Sequence, residues 1–156
     1  MIKLIEDNKV FEVLTLMNKY AQDNAELNYN YTEAVWIKFL LHILEKQNIH
    51  KDPHYLAIGD YDKGKLKGFL LANTFADHYN NNYIMDVKDC VVDIDNKNNS
   101  YVIFRLYDYL IEHTKKHGGK YWRADSIRNE KEAIRYARFL QKRYNAVMNI
   151  SIRGTV

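Results

Sequence analysis

The amino-acid sequence predicts an α/β fold: a mixed central β-sheet with helices on both faces, in a single domain over residues 1–156. Three observations predict it. Residues 83–129 read in order as strand, polar loop, apolar helix, glycine turn and strand, a unit that most simply makes a parallel pair with a right-handed crossover. Upstream, two β-rich runs flank the turn Asp60-Tyr61-Asp62-Lys63-Gly64-Lys65, the pattern of an antiparallel hairpin. Ahead of the hairpin, two stretches repeat apolar residues at helical spacing.

Each element has its local reason. Ile2 to Ile5 is a short apolar strand, and Asp7-Asn8 supply turn and cap. Val10, Val13, Leu14, Met17 and Ala21 then define a first helix. Thr32 caps a second, whose stripe is Val35, Trp36, Phe39, Leu40, Ile43 and Leu44 and which ends near Gln47-Asn48. Pro53 marks a turn before the hairpin strands, and Asn80-Asn81-Asn82 form a loop tip. The fourth strand is Tyr83 to Val92. After a polar loop, a buried helix runs from about Tyr101 to His117, with Ser100 as N-cap and Gly118-Gly119 as its stop. Tyr121 to Ile127 is the parallel strand. A last helix places Ala133, Ala137, Leu140 and Tyr144 on one face, with Asn145 as C-cap, before a closing strand at Ala146 to Ile152.

Composition sets the broad class. A chain of 156 residues with 47% hydrophobic content supports one globular core. The lone cysteine, Cys90, excludes an internal disulfide, and no apolar run approaches a membrane span. These features predict a cytoplasmic protein with no membrane partner. Residues 115–143 carry ten basic and three acidic side chains, a net +7, whereas the remainder carries 13 basic and 17 acidic, a net −4. The C-terminal third therefore suits an anion: a nucleotide cofactor, nucleic acid or an acidic protein face. Its stripe of Arg135, Arg138 and Lys142 also reads as an ordinary solvated helix face. The wealth of Asn, Lys, Ile, Asp and Tyr is what an AT-rich genome gives, as in a phage- or parasite-encoded protein.

Other constellations carry less. Asp93-Ile94-Asp95-Asn96-Lys97-Asn98-Asn99 lacks the glycine and bidentate glutamate of a calcium loop. His113 and His117 share a helix edge, but no partner ligand is obvious and Lys115-Lys116 would repel a cation, so they read as solvated histidines. No metal is expected. Cys90, in an apolar strand, reads as a packed core thiol.

The element order β, α, α, β, β, β, α, β, α, β resembles that of the GNAT family, the acyl-CoA-dependent N-acyltransferases, over nearly the whole chain. At residue level the likeness lies in the second half. His117-Gly118-Gly119-Lys120 before a strand, with Asn129 after it, is similar to the family's passage into its fifth strand and last helix. Asn145-Ala146 stands near the family's closing Gly-Phe pair, and Asn is the next best residue for a left-handed backbone. The resemblance implies a GNAT-like fold, acetyl-CoA as donor and an amine as acceptor.

It also implies a site. The cofactor pyrophosphate would lie on Lys97, Asn98, Asn99, Ser100 and Tyr101 at the start of the buried helix, with Asn129 beyond, and pantetheine along Val91 and Val92. The family's loop carries glycines there; residues 96–102 hold none. The family's catalytic tyrosine falls on Gln141, leaving Tyr136 and Tyr144 as substitutes for the acid. Asp89 and Asp86 on the fourth strand are the candidates for the base, Asp89 foremost. Their odd spacing puts them on opposite faces, and the plain expectation for each carboxylate is a surface position. Two functional readings stay open: an N-acetyltransferase, or a catalytically inactive GNAT-fold binding or structural protein.

Overall fold

The computed structural model describes residues 1–23, 31–76, 83–93, 95, 99–124 and 130–147. It forms two compact units, Met1–Asp125 and Ser126–Val156. The first holds a five-stranded sheet in the order β1-β2-β3-β4-β5: β1 (Ile2–Leu4), β2 (Tyr55–Asp62), β3 (Lys65–Ala76), β4 (Tyr83–Val92) and β5 (Tyr121–Ala124). Pairings from β1 through β4 are antiparallel; β4 and β5 pair in parallel, as the crossover predicts.

Helices α1 (Val10–Asp23) and α2 (Glu33–Leu44) cover one face of the sheet. α1 buries Val13, Leu16, Met17 and Ala21, spaced at three to four residues as an amphipathic helix requires. Leu16 is buried where the sequence reading favoured Val10 and Leu14, which are only partly covered. α2 buries Trp36, Leu40, Ile43 and Leu44, but Val35 points outward, 65% exposed. These side chains pack with Ala57, Phe69, Leu71 and Val91 in one core. Thr32 has the extended backbone of an N-cap but makes no side-chain capping bond. A wider turn, Glu45–Ile49, closes α2.

The opposite face carries α3 (Asn99–Lys116), which buries Val102, Leu106, Tyr107, Leu110 and Thr114. Its remaining surface is half-buried or exposed, so it is an amphipathic helix rather than one buried all round. Gly118 ends it at φ +81, and the Gly119 N–H donates to the Thr114 carbonyl at 2.9 Å. This is the expected glycine stop.

In the second unit α4 (Glu130–Tyr144) buries Leu140 and exposes Arg135, Arg138 and Lys142. Asn145 takes the left-handed backbone expected of it, φ +51, and its N–H donates to the Gln141 carbonyl at 2.9 Å. Ala146 and Val147 belong to no regular element, and the rest of the expected closing strand lies outside the described residues, as does the Asn80-Asn81-Asn82 tip.

Candidate functional site: a bulge on β4

β4 changes character halfway along. Val87 pairs with Ala72 and Asp89 with Leu71, so Lys88 is an extra, bulged residue. Among the described residues the ladder to β5 runs through Ile84–Tyr121, Met85–Trp122, Asp86–Arg123 and Val87–Ala124, the last pair one residue before the bulge. A bulge bends its strand and sharpens its twist. Among the described residues, Asp89 to Val92 keep their β3 partners, and none of residues 88–92 pairs with Tyr121–Ala124.

The bulge also resets the side-chain alternation. Asp86 pairs with Asn73 and Asp89 with Leu71, and these two β3 residues share a face. Asp86 and Asp89 therefore both face α1 and α2, correcting the opposite-face expectation. Simple parity fails because one residue between them does not count toward the ladder.

Neither carboxylate is a surface residue. Asp89 is largely enclosed, and its Oδ2 accepts a hydrogen bond of 3.0 Å from Trp36 Nε1. Burial pushes its carboxyl above the ordinary range; the Trp36 bond and the Lys88 charge offset this only in part. Trp36 is wedged between Tyr31 and Phe69, with ring centroids 6.5 and 5.9 Å away. Tyr31 donates from its hydroxyl to Asn18 Oδ1 at 2.7 Å, and Asn18 Nδ2 donates to Glu33 at 2.7 Å. Burial, then the Glu33 and Asp89 charges, raise the Tyr31 hydroxyl, so the local potential is negative. Asn73 Oδ1, on the same face, is buried with no hydrogen-bond partner among the described residues.

Asp86 stands opposite Arg123, one pair short of the last described β4–β5 pair, Val87–Ala124. It is 3% exposed and takes a two-pronged contact from Arg123: Nε to Oδ1 at 2.9 Å and Nη2 to Oδ2 at 3.0 Å. Lys88 also reaches its Oδ2. Burial pushes the Asp86 carboxyl up, but the Arg123 and Lys88 hydrogen bonds outweigh that and hold it below the usual range. Arg123 lies over the Phe75 ring, 4.4 Å from its centroid.

At the other end, β4 runs into α3. Asp93 leaves the strand and its N–H donates to the Lys67 carbonyl at 2.9 Å. Lys19 Nζ ties α1 to this segment through Asp93 at 2.9 Å and Asp95 at 2.6 Å. α3 begins at Asn99, so Ser100 lies in its first turn rather than at the N-cap. Tyr101 is 61% exposed and stacks under Arg105, whose guanidinium is 4.5 Å from the ring centroid. Val91 is buried and Val92 partly so. Lys97, Asn98 and Asn129 lie outside the described residues. Tyr136 and Tyr144, both partly buried, belong to the second unit.

Of the histidine pair, His117 is exposed, as the sequence predicts, whereas His113 is not. His113 is partly buried, its Nε2 lies 2.9 Å from the Pro53 carbonyl, and its ring centroid is 4.5 Å from that of His117. Burial lowers its pKa. Among the described residues no three His, Cys, Asp or Glu side chains converge as a metal site, and no described helix is long and apolar enough to cross a membrane. Cys90 is only partly buried. What the sequence reading missed was Trp36 and Asn73 as neighbours of the carboxylates; their contacts exist only once the bulge has set the register.

The fold has many solved counterparts. The ribosomal-protein-alanine N-acetyltransferase of Brucella melitensis biovar Abortus 2308 aligns with a TM-score of 0.69 at 17% identity, covering 100% of this chain and 97% of that one. An aminoglycoside antibiotic 6'-N-acetyltransferase of Acinetobacter haemolyticus aligns at 0.71 and 14%, covering 100% and 97%. A transcriptional regulator of Bacillus halodurans C-125 aligns at 0.75 and 10%, covering 100% and 99%. No family model and no curated protein matches the sequence. The chain thus has the GNAT fold, in a sequence far from those of these structures.

Proposed function

We propose that this GNAT-fold protein is an acyl-CoA-dependent N-acyltransferase that moves an acetyl group from acetyl-CoA to an amine. The observation that carries the reading is the GNAT fold, shared over the whole chain with N-acetyltransferases of known structure, together with the enclosed Asp89 just past the β4 bulge. The β4 backbone at Asp89 to Val92 would offer an extended strand to the two amides of a pantetheine arm, and α3, opening at Asn99, would turn helix N–H groups toward phosphate. Val91, Val92, Asn99, Ser100 and Tyr101 would line this path, with Lys97, Asn98 and Asn129 as further proposed contacts. Bound there, acetyl-CoA supplies an acyl group activated as a thioester.

The chain's own groups suit the amine. An acceptor arrives as an ammonium and must lose a proton before it attacks. Asp89, with its raised pKa, is the proposed base, since a proton acceptor works best when its pKa approaches the working pH. Trp36 holds one of its oxygens, and Asn73 Oδ1 offers a further acceptor on the same face. The negative potential at Tyr31 favours a cation on that side. Tyr144, or alternatively Tyr136, is the proposed proton donor to the departing sulfur.

The second reading is a GNAT-fold protein that has lost catalysis, as a phage-encoded one could. The glycine-free loop at residues 96–102 and an exposed Gln141 at the family's tyrosine position favour it. The exposed Arg135, Arg138 and Lys142 would then be the surface for an acidic protein or nucleic acid. Calorimetric titration with acetyl-CoA, followed by a free-thiol assay over a panel of amines, separates the two. Binding with turnover supports the enzyme; binding without turnover, or no binding at all, supports the inactive protein, and no binding removes acetyl-CoA as its cofactor.

A further inference from the structure

A cavity of about 520 Å³ lies between α1 and the β2–β3 turn. One wall is a single face of α1: Glu12, Thr15, Leu16 and Lys19, at helical spacing. The other is the turn itself, Lys63, Gly64 and Lys65, with Leu66 behind; Asp93 closes the end. The volume falls in the range of roughly 300–1,000 Å³ usual for small-ligand sites.

The lining separates into a floor and a rim. Leu16 and Leu66 are buried and belong to the main core, so the floor is apolar. On the rim most polar groups are already matched. Glu12 pairs with Lys9 at 2.5 Å, Lys19 with Asp93 and Asp95, and the Thr15 hydroxyl donates to the Phe11 carbonyl at 2.8 Å. Lys63 and Lys65 are exposed and make no ion pair with a described residue. Their placement is fixed by a tight turn: Lys63 and Gly64 both have left-handed backbones, φ +47 and +80. This is the geometry of the two-residue hairpin turn matched to strand twist. The cavity therefore offers two exposed lysine ammonium groups at its mouth above an apolar floor, Lys65 standing opposite Asp62 in the hairpin and within reach of the Asp93 charge.

We infer that this cavity is a second binding site, and that its ligand is a small anionic amphiphile: one acidic group against Lys63 and Lys65, an apolar body over Leu16 and Leu66. A neutral apolar molecule would leave the lysines unused; a purely polar anion would leave the floor unused. Lys19 and Asp93 belong to this wall and also hold the segment leading to α3, so a bound ligand would lie against the anchor of that loop.

Octanoate is the simplest probe, titrated into the full chain by calorimetry, with octan-1-ol as the neutral control. Saturable one-to-one binding is expected, with Kd on the order of 0.1–1 mM for so small a ligand. It should weaken tenfold or more in the Lys63→Glu/Lys65→Glu double variant and as salt rises. Thr15→Trp, on the exposed wall, should abolish it by filling the cavity. Circular dichroism checks that each variant is folded, and either variant suffices. Absence of saturable octanoate binding, equal binding of octan-1-ol, or binding indifferent to the folded variants overturns the inference.

Discussion

Trp36 Nε1 donates to Asp89 Oδ2 across 3.0 Å, joining the N-terminal half of α2 to the strand position just past the β4 bulge. It is a hydrogen bond to the charged form of the carboxylate, set against burial that favours the neutral form. The balance leaves Asp89 with a raised pKa and a fixed orientation. Both suit a base, and both depend on one indole.

Asp89→Asn is therefore expected to lower acetyl transfer by about 10²-fold or more, the usual worth of a positioned general base, while acetyl-CoA affinity stays near wild type. In the wild type the rate should climb with pH from the ordinary carboxylate value of 3.8 through the raised value. Trp36→Phe should move that limb to higher pH, because the bond that favours the ion is gone. The stability sign is the reverse of the usual aspartate case. A raised folded pKa favours the folded state at low pH, and that advantage fades as pH rises through it. Asp89→Asn should thus be at least as stable as wild type at neutral pH. A pH–rate profile and thermal melts measure both.

Asp86 behaves oppositely. Its lowered pKa stabilises the fold above the ordinary 3.8, and that stability is lost as pH falls below it. Arg123→Met leaves a buried carboxylate with Lys88 alone, at an expected cost of about 2–3 kcal/mol. A melt should show this as roughly 5–10 °C in Tm. If Tm is unchanged, the ion pair is not what holds this part of the β4–β5 ladder.

Gly68 pairs with Val92. A Cβ there would meet Val102 Cγ1 at 2.8 Å and the Val91 carbonyl oxygen at 2.9 Å. The backbone contact cannot be relieved by a rotamer change, so Gly68→Ala must shift β4. Destabilisation of about 1–3 kcal/mol is expected, together with weaker acetyl-CoA binding, since Val91 and Val92 line the proposed cofactor path. Calorimetry on Gly68→Ala, with unaltered affinity as the contrary result, decides whether the cofactor uses these residues.

His113 carries a pH signature of its own. Burial lowers its pKa from 6.5, so the folded state resists its protonation. Stability should be full above pH 6.5 and decline as pH falls through the lowered value. His113→Gln should flatten this part of the stability–pH curve, as denaturant melts between pH 7.5 and 5 would reveal.

Reversal of Arg135 and Arg138 to Glu should change stability by about 1 kcal/mol or less, because both are exposed. If the stripe has an acidic partner, binding to it should weaken strongly and depend on salt. Oligonucleotide titrations at two salt concentrations test the nucleic-acid form of that proposal.

The fold was legible because its signals are local. The apolar spacing of α1 and α2, the Lys63-Gly64 turn, the Gly118 stop and the left-handed Asn145 each follow from a few neighbouring residues. The site was legible only in outline. Asp89 was singled out by its strand, but the bulge at Lys88 is a property of the β3–β4 ladder, not of any motif in β4. Without it Asp86 and Asp89 separate to opposite faces, and Trp36 has no reason to be paired with either. Val35 was misassigned for a related reason: the stripe of α2 is wider in sequence than the face that the sheet covers.

The bulge has a genetic corollary. Removing Lys88 alone would leave Val87 opposite Ala72 and Asp89 opposite Leu71, so every downstream pairing with β3 would survive. What would vanish is the bend. A single in-frame codon thus separates a bent β4 from a straight one, at the cost of the Lys88 contact to Asp86.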